Sequence, residues 1–146
     1  MNIIQSIIHA ITKVHPPHTM VVHFPIALTG AAAFFILLAI WKKSKVLEQV
    51  AFANISLAAA STIVAAILGI RDNIVRWDGN APNHTAKIIL ASFLFVVTTI
   101  TAIARWRNKE LFYEKSTRGF YIAANFVSFA IALVLGFLGG VILYGV

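Results

Sequence analysis

The 146-residue chain is 60% hydrophobic and only 12% charged, has a mean hydropathy of +0.86, carries a formal net charge of +7 and contains no cysteine. Soluble domains carry about twice that share of charge, so a water-soluble globular fold is excluded; the lack of cysteine excludes disulfides, Cys-ligated iron–sulfur clusters, covalent c-type haem and Cys-based zinc sites. The excess positive charge sits in short segments beside apolar runs, a pattern that orients membrane helices and does not point to nucleic acid.

The first segment, residues 1–14, spaces Ile3, Ile4, Ile7, Ile8, Ile11 and Val14 along one helical face, with Asn2, Gln5, Ser6, His9, Thr12 and Lys13 on the other. It lacks the basic start and small-residue cleavage site of a signal peptide. It reads as a short amphipathic helix, lying in the outer membrane interface or packed on a partner subunit.

Next comes HPPHTMVVHFP, residues 15–25, which holds three of the five histidines, His15, His18 and His23. Pro16 and Pro17 stop any helix arriving from the N-terminal segment. Pro25 is tolerated in a first helical turn; if the helix begins earlier, it frees the carbonyl of Val21. On a continuous helix His18 and His23 point about 140° apart. They are therefore not expected to grip one ion together, and one should face the bundle while the other faces the interface. His23, between Val22 and Phe24, is expected at or just below headgroup level.

Four apolar runs follow the spacing of membrane-spanning helices: about Met20–Trp41, Leu47–Ile70, Thr85–Ala104 and Phe120–Tyr144. Their short connections predict an all-α fold, an integral membrane antiparallel four-helix bundle over residues 15–146 preceded by the N-terminal amphipathic helix. Lys42, Lys43, Lys45, Arg105, Arg107, Lys109, Lys115 and Arg118 flank one side, against Lys13, Arg71, Arg76 and Lys87 on the other. The imbalance places the first side in the cytoplasm of a bacterial inner membrane, with both termini and the Arg71–His84 loop in the periplasm. All five histidines then belong to the outer leaflet, so the chain alone cannot pass electrons across the bilayer through two stacked bis-histidine haems. The embedded segments are read as holding no aspartate or glutamate for a proton relay, which argues against a pump or an ion-coupled transporter. No nucleophile triad, carboxylate pair or phosphate loop appears.

At the outer end of the second run, Arg71 suits a haem propionate or a quinone carbonyl, and Asp72 suits orienting an imidazole; the plain alternative is that the two neutralise each other. The third run opens in APNHTAK, where Asn83 or Thr85 is placed to cap the helix and His84 lies at the depth of His23. His23 and His84 are the expected axial pair for a haem iron, or one of them a ligand to a chlorin magnesium. The alternative is that these histidines bond water, headgroups or a backbone carbonyl. Gly136, Gly139 and Gly140 in the fourth run, with Ala58, Ala59, Ala60 and Ser61 in the second, allow close helix approach within the bundle or to another subunit.

His15-Pro16-Pro17-His18, followed by Val22-His23-Phe24-Pro25-Ile26-Ala27-Leu28, resembles a bacterial family of small four-helix membrane proteins, a domain of unknown function with a signature close to HP…VHFPIAL. The likeness extends to Gly69, Asp72 and His84, while Thr19 stands where the family has a proline. The resemblance implies a membrane protein fused to, or found near, Rieske-type and cytochrome proteins, with a b-type haem on the residues matched by His18, His23 and His84. The leading expectation is a redox subunit of a larger membrane complex, not an enzyme alone. It would hold one haem b between His23 and His84, with His18 as substitute ligand and Arg71 and Asp72 around them, and exchange electrons with a quinone or periplasmic cytochrome. The rival expectation is an accessory subunit, cofactor-free or binding one pigment, of a respiratory or photosynthetic complex.

Overall fold

A chain crossing lipid must satisfy its backbone polar groups internally, and the apolar runs do so as helices, the last three unbroken and the first interrupted at Val22. The computed structural model describes residues 2–9 and 17–144. Its elements are α1 (Ile3–His9), α2 (Pro17–Val21), α3 (His23–Lys42), α4 (Lys45–Trp77), α5 (His84–Arg107) and α6 (Lys115–Tyr144). Four helical stretches, 17–42, 45–77, 84–107 and 115–141, are long and apolar enough to span a bilayer. Among the described residues there is no strand.

α1 is capped reciprocally: the Gln5 side chain accepts from the Asn2 amide, and the Asn2 side chain accepts from the Ile4 amide. Ile3, Ile4 and Ile7 are exposed on it. Residues 10–16, and with them His15 and the end of the expected 1–14 helix, lie outside the described residues. α2 runs into α3 with only Val22 between them, and Val22 keeps helical dihedrals. The helical hydrogen bonding lapses where Pro25, with no N–H, leaves the Val21 carbonyl free, as the sequence foresees for a helix that begins early.

The four long helices form a ring in which α3 packs on α4, α4 on α5, α5 on α6 and α6 on α3. α3 and α5 therefore face each other across the diagonal. The buried positions step three and four residues at a time. On α3 they include Pro25, Thr29, Ala32, Ile36 and Ala39; on α4 they include Glu48, Ala51, Ile55, Ala58, Thr62, Ala65 and Asp72. α5 contributes Leu94, Thr98, Thr101 and Arg105, and α6 contributes Tyr121, Asn125, Ser128 and Ala132. This 3.5-residue period is the seam of left-handed helix packing. Apart from Ile36, Ile55 and Leu94 the seam is mostly small or polar, while many large apolar side chains lie outside (Phe34, Ile67, Ile89, Phe137), as expected where lipid is the solvent and close packing drives association.

The polar seam residues spend their donors locally. Thr29, Thr62, Thr98, Thr101 and Ser128 donate to the carbonyl four residues back, which removes the cost of burying a free hydroxyl in hydrocarbon. α4 ends its seam in a carboxylate at each end. Glu48 and Asp72 are 24 residues apart, about 36 Å along the helix, so they bracket the roughly 30 Å hydrocarbon core.

Glu48 corrects the expectation of carboxylate-free embedded segments. It lies one turn inside α4 with 0% exposure, masked in the sequence by the apolar residues around it. Arg105 of α5 donates to it through Nε and through Nη2, each at 2.6 Å, and the Tyr121 hydroxyl of α6 donates at 3.2 Å. Three helices are thus tied at the basic end. Phe112, from the α5–α6 connection, is buried against Ile36, Ala39, Ala51 and Tyr121 and plugs that end.

Candidate functional site

The histidine-bearing end is built around the last turns of α4. Ala65, Gly69 and Asp72 follow one another at helical spacing on the face that receives α2. His18 lies in that groove. Its Nδ1 is 2.9 Å from the Ala65 carbonyl oxygen, and its backbone N–H donates to Asp72 Oδ2 at 3.2 Å. Because a carbonyl only accepts, Nδ1 carries the hydrogen and Nε2 is the remaining ring atom. Gly69 permits this approach: a Cβ at that position would stand 3.0–3.1 Å from the nearest ring atoms of His18.

Asp72 turns its other oxygen, Oδ1, to Arg71 Nη1 at 3.0 Å. The pair expected as mutual neutralisation is thus present, and Asp72 also fixes the main chain at His18. Arg71 stays 42% exposed in its side chain, whereas that of Asp72 is 10% exposed.

Asn73, the next residue, shapes the other half of the site. Its Oδ1 accepts from the Ala81 amide at 2.9 Å and its Nδ2 donates to the Gly79 carbonyl at 3.2 Å, folding the loop back over the end of α4. The Ala81 carbonyl then receives the His84 amide at 3.1 Å, with His84 Nδ1 3.0 Å away. His84 therefore has the same ring polarity as His18, and its Nε2 lies 3.3 Å from the Thr85 hydroxyl. Asn83 occupies the N-cap of α5 in a left-handed conformation (φ 56°) but makes no side-chain cap bond, which corrects its expected capping role.

Consecutive residues Asp72 and Asn73 therefore organise two half-buried imidazoles on two elements, α2 and the start of α5. His23 is placed differently. It opens α3, is exposed, and its ring makes no hydrogen bond with another described residue. Of the two histidines separated by about 140° of helix, His18 faces the bundle and His23 faces out. Among the described residues no group of three or more histidine, aspartate or glutamate side chains converges as for a bare metal ion. Asn73 escaped sequence reading because a loop-organising asparagine carries no signal beyond its neighbour, Asp72.

The other glycines divide by partner. A Cβ on Gly136 would meet Ile26 Cδ1 at 2.8 Å, so Gly136 serves packing of α6 on α3, while Gly139 and Gly140 have no heavy atom of another described residue in Cβ range beyond their own helix backbone.

No curated protein and no solved structure matches the chain. A family described as predicted membrane protein (DUF2231) matches residues 14–146, which take in the HPPH and VHFPIAL segments, Gly69, Asp72 and His84. The chain belongs to that family of membrane proteins.

Proposed function

We propose that the chain is the membrane-embedded redox subunit of an electron-transfer complex in the bacterial inner membrane, holding one b-type haem near its periplasmic end and exchanging electrons with a quinone or a periplasmic cytochrome or Rieske-type protein. The observation that carries this reading is the matched state of His18 and His84, two half-buried imidazoles at one end of the bundle with each Nδ1 turned to a backbone carbonyl. That arrangement fixes ring orientation and makes Nε2 the atom that would bind, the usual second-shell pattern of a ligating histidine; on His84 a ligand would have to displace the 3.3 Å contact of Nε2 with the Thr85 hydroxyl. The donor set fits a b-type haem, which when bound supplies one-electron chemistry.

His18 and His84 would hold the group, with His18 taking the place first expected of His23. Asp72 positions His18 through its main chain, and Arg71 is a cation available to a propionate. The excess of basic residues at the opposite end supports a periplasmic location for this one and for both termini. A dithionite-reduced minus oxidised spectrum of the purified protein, with iron analysis, tests the reading. A reduced haem b band with iron supports it, and absence of both refutes it.

The accessory-subunit reading draws on a separate observation, the open Cβ directions of Gly139 and Gly140. Under it, α6 packs against a larger respiratory or photosynthetic complex, and Gly140→Leu disrupts assembly while His18→Ala leaves the spectrum unchanged.

A further inference from the structure

The basic end of the bundle carries a half-open cavity of about 170 Å³ between the first turn of α4 and the α5–α6 connection. Glu48 and Arg105 line it and neutralise each other. Arg105 commits Nε and Nη2 to that pair, leaving Nη1 without a partner among the described residues. Lys45, Lys109, Glu110 and Tyr113 also line the cavity. Lys45 Nζ sits 5.3 Å from the Tyr113 ring centroid, which holds the ammonium at the mouth. With the buried pair cancelled, two lysines against Glu110 leave the lining net positive.

The depth is marked independently. Trp41 ends α3 and Trp106 ends α5 at this end, and each is 72% exposed, as tryptophans are at the headgroup level. Eight basic residues surround this end against Glu48, Glu110 and Glu114. The cavity is smaller than the roughly 300 Å³ at which small-molecule pockets begin, so it suits one compact anionic group whose remainder lies elsewhere. Val46, next to Lys45 in sequence, is an exposed apolar side chain of α4 and offers a place for that remainder.

We infer that this cavity is a binding site for the phosphate of an anionic phospholipid headgroup, held by Lys45, Lys109 and the free edge of the Arg105 guanidinium, with the acyl chains along α4. Basic pockets between membrane helices recognise anionic headgroups by this combination of charge and depth.

Native mass spectrometry of the purified protein tests the inference, with phosphatidylglycerol, phosphatidylcholine and inorganic phosphate as separate probes. Wild type is expected to retain phosphatidylglycerol over phosphatidylcholine. Lys45→Gln with Lys109→Gln is expected to weaken that retention about tenfold or more, from the loss of two charges at the headgroup. Lys42→Gln with Lys43→Gln removes equal charge from the same end outside the cavity and is expected to weaken it far less. Equal retention of the two lipids, or equal losses in the two double variants, overturns the proposal. Displacement of the lipid by millimolar inorganic phosphate overturns the lipid as occupant in favour of a free anion.

Discussion

Replacing Arg105 with Met removes two of the three hydrogen bonds that the Glu48 carboxylate accepts from described residues and, among those residues, the one cation paired with it. The carboxylate stays at 0% exposure with the Tyr121 hydroxyl alone. Breaking a buried pair from one side costs about 3–5 kcal/mol, because an uncompensated charge is left behind. Replacing both partners, Glu48→Leu with Arg105→Met, removes the charge along with its partner and is expected to recover most of that loss. Tyr121→Phe deletes only the 3.2 Å bond and is expected to cost about 1.5 kcal/mol, the low end for a bond to a charged acceptor given its length. The assay is unfolding in mixed micelles by titration with SDS, followed by the fluorescence of the three tryptophans. A loss below about 1 kcal/mol for Arg105→Met, or a double variant no more stable than that single one, would refute the claim that this pair ties α4 to α5.

Gly69→Ala pushes a Cβ to 3.0 Å from the His18 ring and is expected to cost about 1–3 kcal/mol through overpacking, detected in the same titration. Gly136→Ala, whose contact is the flexible tip of Ile26, is expected to cost under about 1 kcal/mol at the lower end of overpacking. The Tyr113 phenol, in the loop between α5 and α6, is held above its ordinary value of 10.0 by burial and then by the charge of Glu48. The wild-type minus Tyr113→Phe absorbance at 295 nm should therefore reach its midpoint above pH 10.0, and a midpoint at or below that value contradicts the burial of this phenol in the α5–α6 connection. Because the folded-state value is the higher one, the associated stability is present below the unfolded titration and is lost as pH rises through the folded one.

The spans, their antiparallel order and the basic end could all be read from hydropathy and loop charge, because bilayer thickness and orientation act directly on those quantities. The inner face of the bundle could not be read by the same means. In a soluble helix the apolar stripe points inward, but here Phe34, Ile67 and Phe137 are outside while Ala51, Thr62 and Thr98 are buried. The informative signal was the step of three and four residues in small and polar side chains. Followed along α4, that step begins at Glu48 and ends at Asp72, and along α5 it ends at Arg105. At the histidine-bearing end the sequence placed His23, His84, Arg71 and Asp72 in one depth layer and left His18 outside it as a substitute, whereas the structure turns His18 into the bundle. Which histidine of HPPHTMVVHFP turned inward depended on the approach of α2 to Gly69, a tertiary contact with no local signature.

The redox assignment is tested most directly by the haem-to-protein ratio of the purified chain and three variants, His18→Ala, His84→Ala and His23→Ala, measured by pyridine haemochrome. One haem per chain in wild type and His23→Ala, with loss in both His18→Ala and His84→Ala, is the predicted result. No haem in wild type, or loss in His23→Ala with full retention in His18→Ala, would contradict it.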